Sequence, residues 1–158
     1  MSVHRIGLIS DTHGLMRPEA LAALADSEHI VHAGDIGNAA ILSTLALLAP
    51  ITAVRGNNDH GDWAEALPET ATLRIGGVAL YVLHDLAQLA TDPAAQGIAV
   101  VVSGHSHRPR IEHRGGVLYV NPGSAGPRRF KLPIAVARLT IDAGQAHADL
   151  IELPAALR

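Results

Sequence analysis

Three short apolar runs, separated by helical stretches, constrain this chain more than any other feature. The runs are "VHRIGLIS" (3–10), "HIVHAGD" (29–35) and "ITAVRGNND" (51–59). Between them lie "PEALAALAD" (18–26) and "NAAILSTLALLA" (38–49), with apolar residues at helical spacing. Pro18 opens the first helical stretch at a first-turn position, Asn38 caps the second and Pro50 stops it. A β-α-β-α-β rhythm of this kind predicts parallel strands joined by crossover helices.

The second half changes character. "ATLRIGGVALYVLH" (71–84) predicts a hairpin about Gly76-Gly77, "RIEHRGGVLYVNPGS" (110–124) another about Gly115-Gly116, and 133–153 a third with its turn near Ala143-Gly144-Gln145. "IAVVVSGH" (98–105) is almost uninterrupted apolar sequence, as a strand covered on both faces would be. "DLAQLATDPAAQG" (85–97) predicts a short helix. With 158 residues and no low-complexity linker or fixed-period repeat, the chain reads as a single domain over 1–158. Its core must come from Ala, Val, Leu and Ile, because aromatic residues make up only 3%.

Composition removes several function classes. A net charge of −3 is not the basic footprint of a nucleic-acid coat, so no polymeric nucleic acid is expected as partner. No apolar run approaches the roughly 20 residues that span a bilayer, and "MSVHRIGLISDTHG" does not read as a signal peptide. With no cysteine there is no disulfide and no thiolate metal site, which fits a reducing, cytoplasmic setting. Ten histidines in a chain without cysteine direct attention to a His/carboxylate metal site instead.

The reactive side chains fall at strand ends. Asp11 and His13 follow the first run, Asp35 the second, and Asn57 and Asp59 the third; His84 closes a hairpin strand, and His105 and His107 follow the long apolar strand. The edge beyond strand C-termini is where open α/β sheets bind ligands. If the backbone there is extended, residues i and i+2 point to one side, so Asp11 with His13, and His105 with His107, would each aim two groups at a point. Imidazole nitrogen, carboxylate oxygen and an amide carbonyl suit divalent Mn, Fe or Zn. Seven such groups exceed what one tetrahedral ion takes, and suit two ions sharing a carboxylate. Such a pair clamps the attacking and leaving oxygens of an in-line displacement.

Taken singly, D-x-H, G-D or G-N-N-D is a turn, and His84 a half-buried histidine. In order, "D-x-H … G-D … G-N-x-D … H … G-H-x-H" resembles the calcineurin-like metallophosphoesterases, and "GHSHRP" with "YVNPGS" resembles their compact bacterial and archaeal phosphodiesterase branch. The resemblance runs from Ile6 to about Leu139. It implies a four-layer α/β/β/α sandwich, a mixed β-sandwich flanked by helices with the site at one rim. It also implies two divalent ions, Mn commonly, with Fe, Zn or Ni also seen. Asp11, His13 and His107 would hold the first, Asp35 would bridge, and Asn57, His84 and His105 would hold the second. The implied activity is hydrolysis of small phosphodiesters by metal-bound hydroxide, with Asp35, Asn57 and His107 in the catalytic set.

Two positions depart from that pattern. Many relatives carry a His where this chain has Asn58, and that His is thought to protonate the leaving group. Asn has no proton to give at neutral pH, though its amide can bind a phosphate oxygen. Monoester hydrolysis should suffer more than diester hydrolysis, which favours a phosphodiesterase over a phosphomonoesterase. Asp85 stands where relatives often have Gly. His60 is a stand-in proton donor or a solvent-facing turn residue. His32 is expected to buttress Asp35 or to bond backbone in the core, and His4, His29, His113 and His147 to lie at the surface or strand edges. Arg55 and the pair Arg128–Arg129 are candidate phosphate contacts, with solvated or structural roles as the alternative. A non-catalytic protein-interaction scaffold of the same fold is the alternative from another class, and dimerisation is left open.

Overall fold

The first three runs build the centre of one sheet. In the computed structural model, which describes residues 3–129 and 131–154, these are β1 (Val3–Ile9), β2 (His29–His32) and β3 (Ile51–Ala53). The single-domain expectation covers 1–158, so its residues 1–2, 130 and 155–158 lie outside the described ones. β1 pairs in parallel with β2, and β2 with β3, as the crossover rhythm predicts. The C-terminal hairpin, β9 (Ala135–Asp142) and β10 (Gln145–Glu152), completes the sheet in the order β10-β9-β1-β2-β3, with β9 antiparallel to β1.

The second sheet comes from the middle of the chain. β4 (Thr70–Ile75) and β5 (Val78–Leu83) form a hairpin, β6 (Val100–Val102) pairs in parallel with β5, and β8 (Val117–Asn121) in parallel with β6. β7 (Arg110–Arg114) lies antiparallel on β8, giving the order β4-β5-β6-β8-β7. All three expected hairpins turn on two consecutive left-handed residues, Gly76-Gly77, Gly115-Gly116 and Ala143-Gly144. That is the turn whose twist matches paired strands, and only the third places a side chain at its first position.

The sheets face each other across a core of small aliphatic residues. Ile6, Leu8, Val31 and Leu139 from the first meet Leu80, Val82, Val100, Val102 and Val120 from the second. A second cluster joins the outer face of the first sheet to α1 (Pro18–Leu24) and α2 (Ala39–Ala46) through Ile9, Leu24, Ile30, Ile41 and Leu45. Gly7 lets α1 come close, since a Cβ there would stand 2.7 Å from the Leu24 side chain. Asn38 caps α2 as expected, its side chain accepting from the Ile41 N–H at 3.3 Å.

The outer face of the second sheet is covered more thinly. The helix expected over 85–97 is one turn of 3₁₀ helix, Leu86–Gln88, because Pro93 and Gly97 interrupt the stretch. Conversely, a short α3 (Asp62–Glu65) forms after the Asn-Asp turn, although residues 62–65 carry no apolar periodicity. Among the described residues no helix is long and apolar enough to cross a membrane.

Candidate metal centre

The five sequence blocks converge at one rim. The loop after β1 continues beside the loop after β2, with Asp11, His13 and Gly14 N–H donating to the carbonyls of Gly34, Asp35 and Ile36 at 3.0, 2.9 and 2.8 Å. The expected extended backbone is not what aims the side chains. Asp11, His13, Asp35, His105 and His107 all have φ between 46° and 73°. Left-handed backbone at a non-glycine residue costs about 1–3 kcal/mol and persists where surrounding bonds enforce it. Here the loop-to-loop hydrogen bonds do so, which leaves the two i, i+2 pairs free to behave differently: Asp11 and His13 join one group of donors, while His105 and His107 part.

The first group is Asp11, His13 and His107, the second Asp35, His84 and His105; the ligand atoms within each lie within 4.8 Å of one another. In the first, His13 Nε2 stands 3.3 Å from His107 Nε2, and Asp11 Oδ1 lies 3.7 and 3.5 Å from those two nitrogens. In the second, His84 Nε2 lies 3.2 Å from Asp35 Oδ2. Asp35 Oδ2 is also 3.6 Å from His13 Nε2, so this carboxylate reaches both groups. Asn57 Oδ1 meets His105 Nδ1 at 3.2 Å. All seven residues expected as ligands are therefore brought together.

The donor set fits divalent ions by its own unmet valences. Asp11 is fully buried; its Oδ2 accepts from the Ser10 hydroxyl at 2.7 Å and the His105 N–H at 3.1 Å, while Oδ1 has no hydrogen-bond partner. His84 Nδ1 meets the Ala33 carbonyl at 2.8 Å and must donate there, so in the neutral ring that a metal requires the lone pair falls on Nε2, which has no hydrogen-bond partner. Ligands held at about 2.0–2.2 Å by a shared ion stand some 3–3.5 Å apart, close to the spacings of the first group.

Protonation follows from the same contacts. Burial raises the Asp35 carboxyl, but His84 and the two hydrogen bonds from Asn58 outweigh it and hold the group well below the usual carboxylate range. Burial pushes His84 down, and the neighbouring Asp35 and Asp11 carboxylates carry it above the usual imidazole value. His107 is lowered by burial, with the positive charge of Arg129 adding to the effect against the pull of Asp11.

Several residues frame the site beyond the seven donors. Asp59 is buried and clamps two loops: its Oδ1 accepts from Ile36 and Gly37 N–H at 2.8 and 3.0 Å, its Oδ2 from Gly56 N–H at 2.8 Å. The signal for it was present as the last letter of G-N-N-D. Asn58 donates to Asp35 twice, from backbone N–H at 2.9 Å and from Nδ2 at 3.0 Å, which leaves one amide hydrogen for another acceptor. Asp85 accepts from Ala87 N–H at 3.0 Å and starts the 3₁₀ turn, with φ −113°, so no left-handed backbone is needed there. The "NPGSAG" loop packs under the centre, Ser124 Oγ donating to the Asp11 carbonyl at 3.2 Å and Ala125 N–H to the Ser10 carbonyl at 3.0 Å.

The remaining histidines and arginines separate. His32 is fully buried, and its hydrogen bonds go to Gly34 N–H and Thr12 rather than to the Asp35 side chain, so of its two expected roles the backbone-bonding one holds. Its Nδ1 accepts from Gly34 N–H at 3.1 Å and its Nε2 meets Thr12 Oγ1 at 3.1 Å. Because Thr12 gives its own proton to the Ile36 carbonyl at 2.7 Å, His32 Nε2 must be the donor and the ring is neutral. Burial lowers its pKa to about 3. Arg55 is paired with Glu69 at 2.9 Å, and His4 with Glu28 at 3.2 Å. His60 lines, with Arg55, Asn57, His84 and His105, a cleft of about 630 Å³ beside the second group.

Comparison with known proteins agrees with this geometry. The calcineurin-like phosphoesterase superfamily domain matches residues 5–144. A probable metallophosphoesterase of Methanothermobacter thermautotrophicus is 37% identical over 157 residues, covering 92% of this chain and 91% of that protein. Among solved structures, one described as a novel archaeal phosphodiesterase superposes with a TM-score of 0.75 at 22% identity, covering 93% of this chain and 99% of the other. Vps29 from Chaetomium thermophilum superposes at 0.77 with 16% identity over 96% of this chain and 100% of its own; these two likenesses show the fold. The ordered donor blocks, the two sheets that carry them to one rim and the match over 5–144 together place this chain in the calcineurin-like phosphoesterase superfamily.

Proposed function

We propose that this protein is a dinuclear-metal phosphodiesterase acting on small phosphodiesters. The observation that supports it most is the pair of donor groups joined at Asp35, whose Oδ2 lies 3.2 Å from His84 and 3.6 Å from His13. On this reading Asp11, His13 and His107 hold one divalent ion, Asn57, His84 and His105 the other, and Asp35 bridges; Mn is the first candidate, with Fe, Zn or Ni as alternatives. When bound, two such ions lower the pKa of a water to near neutrality and neutralise phosphoryl oxygens. The chain's own part is to hold that arrangement. Asn58 fixes the Asp35 carboxylate and Asp59 the Ile36, Gly37 and Gly56 backbone, His84 keeps Nε2 forward through its Nδ1–H bond, and Asn57, beside the exposed His105, faces the developing charge. The spare amide hydrogen of Asn58 points to a phosphate oxygen as its acceptor.

Specificity for diesters rests on Asn58, which puts a hydrogen-bond donor, and no titrating proton, where leaving-group protonation would occur. The test is turnover of bis(p-nitrophenyl) phosphate against p-nitrophenyl phosphate after reconstitution with Mn; a monoester rate above the diester rate would contradict the reading. A non-catalytic scaffold has less support. Both donor groups are complete, and the large apolar side chains exposed among the described residues, Val3, Leu15, Leu47 and Leu150, fall on four separate segments. The missing cysteines fit a cytoplasmic setting.

A further inference from the structure

A second cavity, about 280 Å³ in volume, adjoins the centre on the outer face of the second sheet. Strand alternation creates its floor. Val100, Val102 and Val120 enter the core between the sheets, so Ser103, Tyr119 and Glu112 face outward beside it. Among the described residues no α-helix lines this cavity, and the wall is the turn that Asp85 starts by accepting from Ala87 N–H. Leu86 from that turn and Tyr119 from β8 pack against one small cluster, Leu83, Val101 and Val117 among it. Asp85 and His105 line both this cavity and the 630 Å³ cleft, so the two meet at the exposed edge of the second donor group.

The chemistry of the lining narrows the occupant. Arg110 and Arg114 share the Glu112 carboxylate at 3.0 and 3.3 Å, which leaves one of their two positive charges uncompensated, and the Arg114 guanidinium lies over the Tyr119 ring at 4.6 Å. Arg108 is exposed at the cavity and has no ion pair among the described residues. The volume is just under the ~300–1,000 Å³ usual for ligand sites, enough for a ring and a sugar and too little for a lipid chain. With Arg108 the excess at this face is two positive charges, too few for the charged track that a polymer needs. We propose that this cavity is the subsite for an aromatic base carried on the ester group that the phosphate keeps, held between Leu86 and Tyr119 with Arg108 donating to its carbonyl acceptors. The substrate class is then a nucleoside phosphodiester. This rests on the phosphodiesterase reading above only for the phosphate's position, not for the cavity's chemistry.

Two p-nitrophenyl esters with the same leaving group test it: thymidine 5′-(p-nitrophenyl phosphate) and ethyl p-nitrophenyl phosphate, with Mn-loaded protein. The thymidine ester should have kcat/KM about tenfold or more above the ethyl ester, as expected for stacking one base. Arg108→Ala and Tyr119→Leu should bring that ratio towards one while kcat/KM for the ethyl ester stays within about twofold. A ratio near one in the parent protein, or an equal loss for both esters in the variants, would overturn the subsite. Binding is read separately, from amide shifts of EDTA-treated protein titrated with thymidine 5′-monophosphate. Saturable shifts at Leu86, Ser103 and Tyr119 that Arg108→Ala weakens support the subsite even if neither ester turns over, and their absence in the parent protein overturns it even if both do.

Discussion

Asn58 holds Asp35 from two sides, its backbone N–H on one carboxylate oxygen at 2.9 Å and its side-chain amide on the other at 3.0 Å. The residue that removes a proton donor from the site is thus also the one that orients the carboxylate shared by the two donor groups. Asn58→His keeps the backbone bond and adds a titrating group. It should raise the ratio of monoester to diester kcat/KM by roughly tenfold or more, since general acid catalysis contributes about 10²–10⁴. An unchanged ratio in steady-state assays would remove the proton-donor account.

Gly56 lies against Asp35 so closely that a Cβ would stand 2.1 Å from the Asp35 backbone nitrogen and 2.2 Å from its Oδ1. Neither atom can move without disturbing the hydrogen bonds from Asn58. Gly56→Ala should therefore displace the shared carboxylate and cost metal affinity at least about tenfold, as loss of ligand orientation typically does. Calorimetric Mn titration measures this, and circular dichroism shows whether the fold persists.

His32 gives the chain a sensitivity to acid. Its folded pKa of about 3 lies below the unfolded 6.5, so the unfolded state binds the extra proton between these values. Stability from this group is present above pH 6.5 and is lost as pH falls towards 3. The loss from pH 7 to pH 5 is about 2 kcal/mol. Urea unfolding of metal-free protein at the two pH values should show a smaller difference for His32→Gln than for the parent protein.

Ala143 takes the first turn position of the β9–β10 hairpin at φ 52°, where the other two hairpins carry glycine. Asn adopts that conformation at lower cost than Ala. Ala143→Asn should stabilise by about 0.5–1 kcal/mol, a rise in Tm of about 2–4 °C per kcal/mol for a domain of this size. Differential scanning calorimetry checks it.

The order of the donor blocks and the strands that carry them were legible because each block followed an apolar run, and because "GG" and "AG" between alternating strands name hairpins. The reach of His105 and His107 was legible only as a resemblance. The extended geometry expected for D-x-H and H-S-H was not found, because φ at Asp11, His13, His105 and His107 is imposed by bonds between loops distant in sequence, such as His105 N–H to Asp11 Oδ2 at 3.1 Å. Asp59 was legible as a strand-end carboxylate but its clamping role was not, for the same reason: its three partners lie on two loops, and nothing in a local turn signal distinguishes a clamp from a cap. The stretch 85–97 misled through its alanines, which favour helix while Pro93 and Gly97 forbid its continuation.

On the proposed reading, two ions act together across Asp35. Metal-free protein titrated with Mn, with bis(p-nitrophenyl) phosphate turnover as the readout, tests it most directly. Turnover should be absent at the start and reach its plateau near two equivalents of Mn per chain. A plateau at one equivalent, or no Mn-dependent turnover at all, would contradict it.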